Sequence, residues 1–371
     1  MSDETAPESD RAPDAPHPRA AQRLFGHAPA EAELLAAVAA GRLHHAWLIT
    51  GPPGIGKATL AWRTARFLLD RPVAVEAGLF GADPTPPATL DSDHDSPRGR
   101  RITALSEPGL FLLRRGWDDK TRRHHAVITV DEVRALKGFF SLSLPDGGRR
   151  VVIVDSADDL NPSAANALLK LLEEPPANAC FLLVSHQPSR LLPTIRSRCR
   201  RLACAPLAAD VMQQALSALL PDLETSDREA LATSAGGSIG AALRIHALDG
   251  IDLGRAVGRL VATMPGVDRM QALALSASLA QPGSEERRTL FLHFVDDTLA
   301  GLARQGARAS TGSPQSALAP SPSAARRWAE AQQTETQRVR RGLAVNLDAQ
   351  ALILDMVLRI DRLAALCAAD R

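Results

Sequence analysis

The residues with the clearest chemistry are Gly51-Pro52-Pro53-Gly54-Ile55-Gly56-Lys57-Ala58-Thr59. Glycines at Gly51, Gly54 and Gly56 let a backbone curl so that successive N–H groups converge on phosphate oxygens, and a helix beginning at Lys57 adds the partial positive charge of its N-terminus. Lys57 is the sole lysine of the first hundred residues and would neutralise the outer phosphates. The competing reading is a glycine-rich turn that holds nothing. The position after the lysine, where a Ser or Thr hydroxyl would join a magnesium shell, is Ala58, which has no oxygen. Thr59 lies one helical step on, turned by about 100°, so its hydroxyl reaches a phosphate more readily than the metal. ATP is an expected ligand of this loop, with magnesium weak or absent.

A second group belongs to the same chemistry. Val151-Val152-Ile153-Val154-Asp155 reads as a buried parallel strand ending in a carboxylate, suited to holding a magnesium-bound water. An acidic residue should follow to polarise an attacking water, and Ser156 stands there instead. Two functions needed for hydrolysis are thus missing. A third feature is the dense run Arg196, Arg198, Arg200 and Arg201, which on composition alone is a solvated basic edge. Arg114, Arg115, Lys120, Arg122 and Arg123, offset by Asp118 and Asp119, form another; it suits either a salt-bridged rim or a DNA contact.

The elements that must position these groups follow from pattern. A helix is expected from Pro29, with Leu34, Leu35 and Val38 on one face and Gly41 as its stop. Ala46–Thr50 is a buried strand before the glycine loop, and Leu60, Ala61, Phe67 and Leu68 belong to the helix after it. Leu110–Leu113 and Ala126–Ile128 resume regular structure, and a helix carries Val133, Leu136 and Phe140. Pro145-Asp146-Gly147-Gly148 signals a turn. Asn161 and Pro162 open a helix that Pro175-Pro176 ends, and Phe181–Val184 is a further buried strand. Wholly apolar strands alternating with helices argue for an α/β layered domain. Beyond Pro206 the pattern is helical only.

The expected organisation is a disordered tail over 1–20 and an α/β domain over 21–206. Residues 71–106 would be a polar, mobile surface insertion; 207–250 form a small helical domain and 251–371 a larger one, with a loop at 310–323. The length of 371 residues suits such a division. Lys+Arg 43 against Asp+Glu 42 leaves a net charge of +1, which excludes a polybasic or an acidic solvating protein. Cys180, Cys199, Cys204 and Cys367 form no C-x-x-C pair, so neither a disulfide framework nor a thiolate zinc site is encoded. His94 among Asp91, Asp93 and Asp95 reads as an acidic loop. No apolar run approaches the roughly 18 residues needed to span a bilayer, and the acidic start lacks a secretory core, so a cytoplasmic protein with reduced thiols is expected.

Three stretches together resemble the clamp-loader group of AAA+ proteins, and within it the delta-prime family of bacterial DNA polymerase III: Ser156–Pro162 running into Asn166–Pro176, the Ser197-Arg198-Cys199 triplet, and Gly41–Ala46 ahead of the glycine loop. The specific motifs cover about 21–250; beyond that only the helical character agrees. The resemblance implies a RecA-like α/β AAA+ domain, an all-α lid at 207–250 and an all-α collar at 251–371. The implied assembly is a hetero-pentameric ring with gamma/tau motor subunits and a delta subunit, loading a sliding clamp onto primed DNA at the expense of ATP. It also implies that Arg198 acts in trans as an arginine finger on the ATP of a neighbouring motor subunit. A guanidinium stabilises the charge developing on a transferred phosphoryl group, an effect of roughly 10³–10⁵ in rate.

The departures from that family are informative. Its zinc-binding cysteines are missing between the glycine loop and Asp155, so no zinc is expected. The lid arginine of the motor subunits is replaced, since Gly237-Ser238-Ile239-Gly240 occupies its stretch. With Ala58 and Ser156, Gly240 makes a subunit without ATPase or polymerase activity of its own the expectation. The alternative left open is a gamma/tau-like motor or a helicase loader that recruits Thr59 and a distant carboxylate.

Overall fold

The computed structural model describes residues 8–11, 15–71, 87–142, 148–307 and 318–369. The chain divides into two compact units, Met1–Arg244 and Ile245–Arg371.

The first unit is built on a five-stranded, wholly parallel sheet. Its strands are β1 (Ala46–Thr50), β2 (Leu110–Leu113), β5 (Arg150–Val154), β6 (Ala179–Ser185) and β7 (Arg200–Ala203), in the order β2-β5-β6-β1-β7. Alternate side chains leave opposite faces of each strand. Trp47, Ile49, Ile153 and Leu182 pack on one face with α1 (Ala28–Ala39) and α2 (Lys57–Asp70). Leu48, Val152, Val154 and Phe181 pack on the other with α4 (Val130–Ser141), α5 (Pro162–Glu173) and α6 (Pro193–Arg198). Both faces are covered, which is why the central strands read as unbroken apolar runs. This is the α/β layout, a parallel sheet with helices on both faces, that the resemblance implied.

The local signals act as expected where they are strong. The Asn161 side chain accepts from Ala164 N–H at 2.8 Å and Pro162 occupies the first turn, so α5 starts where its cap places it. Gly41, at φ +63°, ends the chain leaving α1. α7 (Ala209–Leu219), α8 (Thr225–Ser234) and α9 (Ile239–Ala247) follow the sheet without further strands.

Several expectations need correction. Within the tail assigned as disordered, residues 8–11 and 15–20 are ordered: Ala15 and His17 are buried, and Pro18–Ala20 form a 3-10 turn. Composition missed this because the segment is held by ion pairs and by the His17 ring on Trp62, not by large apolar side chains. The insertion assigned to 71–106 is packed over its described part, 87–106. Leu90 and Ile102 are buried against α2, and α3 (Pro97–Thr103) is capped by Ser96, whose Oγ accepts from Gly99 N–H at 2.9 Å. Residues 126–128 form no strand, only a single bridge from Ile128 to Leu160. A small hairpin, β3 (Trp117–Asp118) with β4 (Arg123–His124), lies within the basic cluster. The expected turn at Pro145–Gly147 and most of the loop at 310–323 lie outside the described residues.

The second unit is wholly helical over its described residues: α10 (Gly250–Ala262), α11 (Arg269–Leu279), α12 (Glu285–Ala307), α13 (Pro322–Ala344) and α14 (Ala349–Ala369). Phe291, Trp328, Ile353 and Met356 are buried in it, and the Trp328 indole donates to Leu318 O at 2.8 Å. Polar ties cross the long helices. Asp296 of α12 accepts from Thr336 at 2.7 Å and Arg340 at 2.9 Å on α13, and Glu335 of α13 accepts from Arg359 of α14 at 3.1 Å. No helix among the described residues is long and apolar enough to cross a membrane.

Candidate nucleotide-binding site

β1 delivers the chain to the C-terminal edge of the sheet between β6 and β7, where the strand order reverses and α/β folds leave a crevice. The loop from Gly51 to Gly56 turns there into α2. Its three glycines have φ of +150°, +74° and +105°, and a Cβ on Gly51 would lie 2.4 Å from Cys204 O, so the curl demands glycine. Ile55 is buried in the core, and its carbonyl pairs with His27 Nε2 at 2.7 Å, which anchors the loop from below. A cavity of about 510 Å³ opens above it, lined among others by Gly54, Gly56, Lys57, Ala58, Thr59 and Asp155. The structure thus brings together most of the residues singled out for phosphate chemistry. Gly51, Pro52 and Ile55 shape the loop from outside that lining.

Lys57 is buried, and its Nζ donates to Pro52 O at 2.5 Å. Burial lowers its pKa to about 8, against the opposing pull of Cys204, Asp155 and Asp158. It therefore stays charged at neutral pH, with a carbonyl holding the place where a phosphate oxygen would sit. Asp155 follows directly on β5. Burial first, and then the neighbouring Asp10 charge, push its carboxyl up to about 7, with Lys57 pulling the other way. The two groups line the same cavity and act on each other electrostatically, as a lysine and a carboxylate should in a phosphate–metal site. The hydroxyl and the second carboxylate that would complete it are absent at Ala58 and Ser156, both of which line the cavity.

Other participants were not legible in the motifs. Ser185, at the end of β6, is buried and donates to Asp158 at 2.8 Å; the same carboxylate accepts from His186 N–H at 2.5 Å and Gln187 N–H at 3.2 Å. This fixes the turn that sets His186 against the cavity, and burial lowers the His186 pKa, which keeps the ring neutral. The start of α9 also reaches the loop. Ser238 Oγ donates to Pro53 O at 3.0 Å and Gly240 N–H to Gly54 O at 2.8 Å. A Cβ on Gly240 would lie 2.9 Å from Gly54 Cα, so an arginine there would drive the two backbones apart.

Arg198 is not part of this cavity. It is the last residue of α6, half-buried, with one guanidinium nitrogen on Glu173 Oε1 at 2.7 Å and another donating to Thr194 O at 3.1 Å. A surface ion pair of this kind contributes about 0–1 kcal/mol, so it orients the side chain without committing it. Arg200 pairs with Glu33 of α1 at 2.8 Å and Arg201 donates to Thr50 Oγ1 of β1 at 3.3 Å, so these neighbours are tied within their own unit. In the other cluster Arg114 and Arg115 are engaged by Glu8, Asp10 and Asp159. Burial pushes the Cys199 thiol up to about 12 and Cys204 up to about 11; both are free. Among the described residues no group of three or more His, Cys, Asp or Glu side chains is arranged to hold a metal ion.

The family model described as DNA polymerase III, delta subunit, matches residues 26–208. The chain is 40% identical over 204 residues to the DNA polymerase III subunit delta' of Pseudomonas aeruginosa, covering 54% of this chain and 56% of that protein. It is 35% identical over 214 residues to the delta' subunit of Escherichia coli K12, covering 57% and 58%. A more distant likeness joins it to the DNA polymerase III subunit gamma/tau of Mycobacterium tuberculosis, 30% identical over 187 residues, 49% of this chain and 28% of that one. The match spans little more than half the length of the delta' relatives. The sheet, the glycine loop and the Arg198 turn all fall within the residues that match this family model, and it is there that the chain is similar to the delta' subunits.

Proposed function

We propose that the chain works as a delta-prime-type clamp-loader subunit that does not hydrolyse ATP itself and supplies Arg198 in trans to the ATP held by a neighbouring gamma/tau motor. The observation that carries this reading is a division of parts. The phosphate-loop cavity keeps Lys57 and Asp155 but has Ala58 and Ser156 where metal and water chemistry would need oxygens, while Arg198 stands outside that cavity on a weak surface pair with Glu173. A guanidinium so placed can exchange one carboxylate for a phosphoryl group without unfolding anything.

In this reading residues 21–206 are the AAA+ domain, 207–250 the lid and 251–371 the collar that joins the subunits into a pentameric ring with delta and the motors. The sliding clamp and primed DNA are met through the assembly, in the cytoplasm. ATP or ADP can occupy the Lys57 cavity without turnover.

The test is reconstitution with wild-type motor subunits. Arg198→Ala should fold and incorporate, yet lower the ATPase of the assembled loader by roughly 10³ or more. Unchanged turnover in an assembly shown to contain the variant would defeat the trans role. The likeness to gamma/tau keeps one rival in play, an autonomous motor. Hydrolysis by the purified chain that Lys57→Ala abolishes would favour that rival.

A further inference from the structure

One wall of the cavity comes from neither sheet nor helices. Ser9, Asp10 and Arg11 line it, as do Ala15, Pro16 and Pro18. Charge pins this segment in place. Glu8 accepts from Arg19 at 2.5 Å and pairs with Arg114 at 3.2 Å. Asp10, whose side chain is wholly buried, pairs with the same Arg114 and with His17 at 3.0 Å. Ser9 Oγ donates to Arg115 O at 3.1 Å, and the Arg115 guanidinium donates back to Ser9 O at 3.5 Å. His17 in turn sets its ring edge-on to Trp62 of α2, with centroids 5.7 Å apart. A buried carboxylate is tolerated only when paired, and Asp10 is paired twice.

The location gives this clamp its consequence. Arg114 and Arg115 directly follow β2, at the same edge of the sheet as the glycine loop. A nucleotide brings several negative charges to that edge and needs free cations to receive them. Arg114 is shared between Glu8 and Asp10, Arg115 between Ser9 and Asp159, and the Asp10 charge is felt at Asp155.

We propose that residues 8–11 are an autoinhibitory strap that competes with nucleotide polyphosphate for the phosphate-loop cavity, by placing carboxylates and a chain segment where the phosphates would need cations and room. The proposal rests on the reading of the loop as a nucleotide pocket and is independent of what Arg198 does.

The test is calorimetric titration of the full chain with ADP and ATP, with and without magnesium. Glu8→Gln combined with Asp10→Asn removes the strap's charges, and deletion of residues 1–11 removes the strap while leaving the sheet untouched. Either should tighten ADP binding by about tenfold or more, the scale of one or two charge-assisted hydrogen bonds. Saturating ADP should also speed tryptic cleavage after Arg11 in the wild-type chain. Lys57→Ala separates the two ideas. Binding that depends on Lys57 but is unchanged or weakened in both strap variants overturns the strap and leaves the pocket standing. No binding by any form sinks the pocket reading, and the strap with it.

Discussion

Single side chains set the chemical limits of the site, and Asp155 shows how. Its carboxyl titrates at about 7 where an unperturbed aspartate has 3.8, because burial penalises the anion and Asp10 adds a like charge. A pKa raised in the folded state contributes stability that is fully present below the unfolded value and is lost as pH rises through the folded one. The loss therefore spans roughly pH 3.8 to 7, leaving the anion a net burden at pH 8. Asp155→Asn should accordingly stabilise the isolated chain at pH 8, on the order of 2 kcal/mol, and hardly at all near pH 4. Denaturant melts of both proteins across that range measure it; a difference independent of pH would refute the assignment. Arg198 makes a contrasting case at the same scale. Its partners Glu173 and Thr194 are local, its pair is exposed, and its replacement should cost the isolated chain little.

Elements decide which of those side chains meet, and here sequence and structure part in an instructive way. Asn161-Pro162, the glycine loop and the runs of β1, β5 and β6 were legible because each is fixed by neighbours in sequence: a cap, a turn, a strand buried on both faces. β7 was not, since Arg200 and Arg201 are exposed and only Leu202 of its first three residues is buried; an edge strand of that composition reads as a basic loop. The strap was invisible for a different reason. Its ties to Arg114 and Arg115 join residues about a hundred positions apart, and no local pattern encodes them. The meeting of α9 with the glycine loop belongs to the same class. Sequence registers Gly240 only as a missing arginine, whereas the structure gives it a positive role, as the residue small enough to let the two backbones touch. Gly240→Arg should therefore not restore a nucleotide sensor. It should destabilise the chain by about 1–3 kcal/mol through overpacking, with the loss seen as a lowered denaturation midpoint. A stable variant with gained ATPase would contradict this.

At the scale of the whole molecule the two units have separate foundations. The first owns the parallel sheet and both clusters of core residues on its faces. The second owns a helical core around Phe291, Trp328 and Met356, with charged ties from Asp296 and Glu335 across its long helices. The described residues of both core clusters in the first unit all belong to that unit, so the cavity, the strap and the Arg198 turn should survive removal of 245–371. If the helical unit is the collar, that removal has a sharply divided effect. A fragment ending at Arg244 should fold cooperatively and bind ADP with the affinity of the full chain, because every residue lining the cavity lies within it. It should fail to enter the ring with gamma/tau and delta, and should leave the motor ATPase without its trans arginine even at high concentration. Size-exclusion chromatography of the mixture, set beside calorimetry on the fragment, separates the two effects. Incorporation of the fragment at the level of the full chain would mean that the sheet-bearing unit holds the assembly contacts, and the collar assignment for 251–371 would fall.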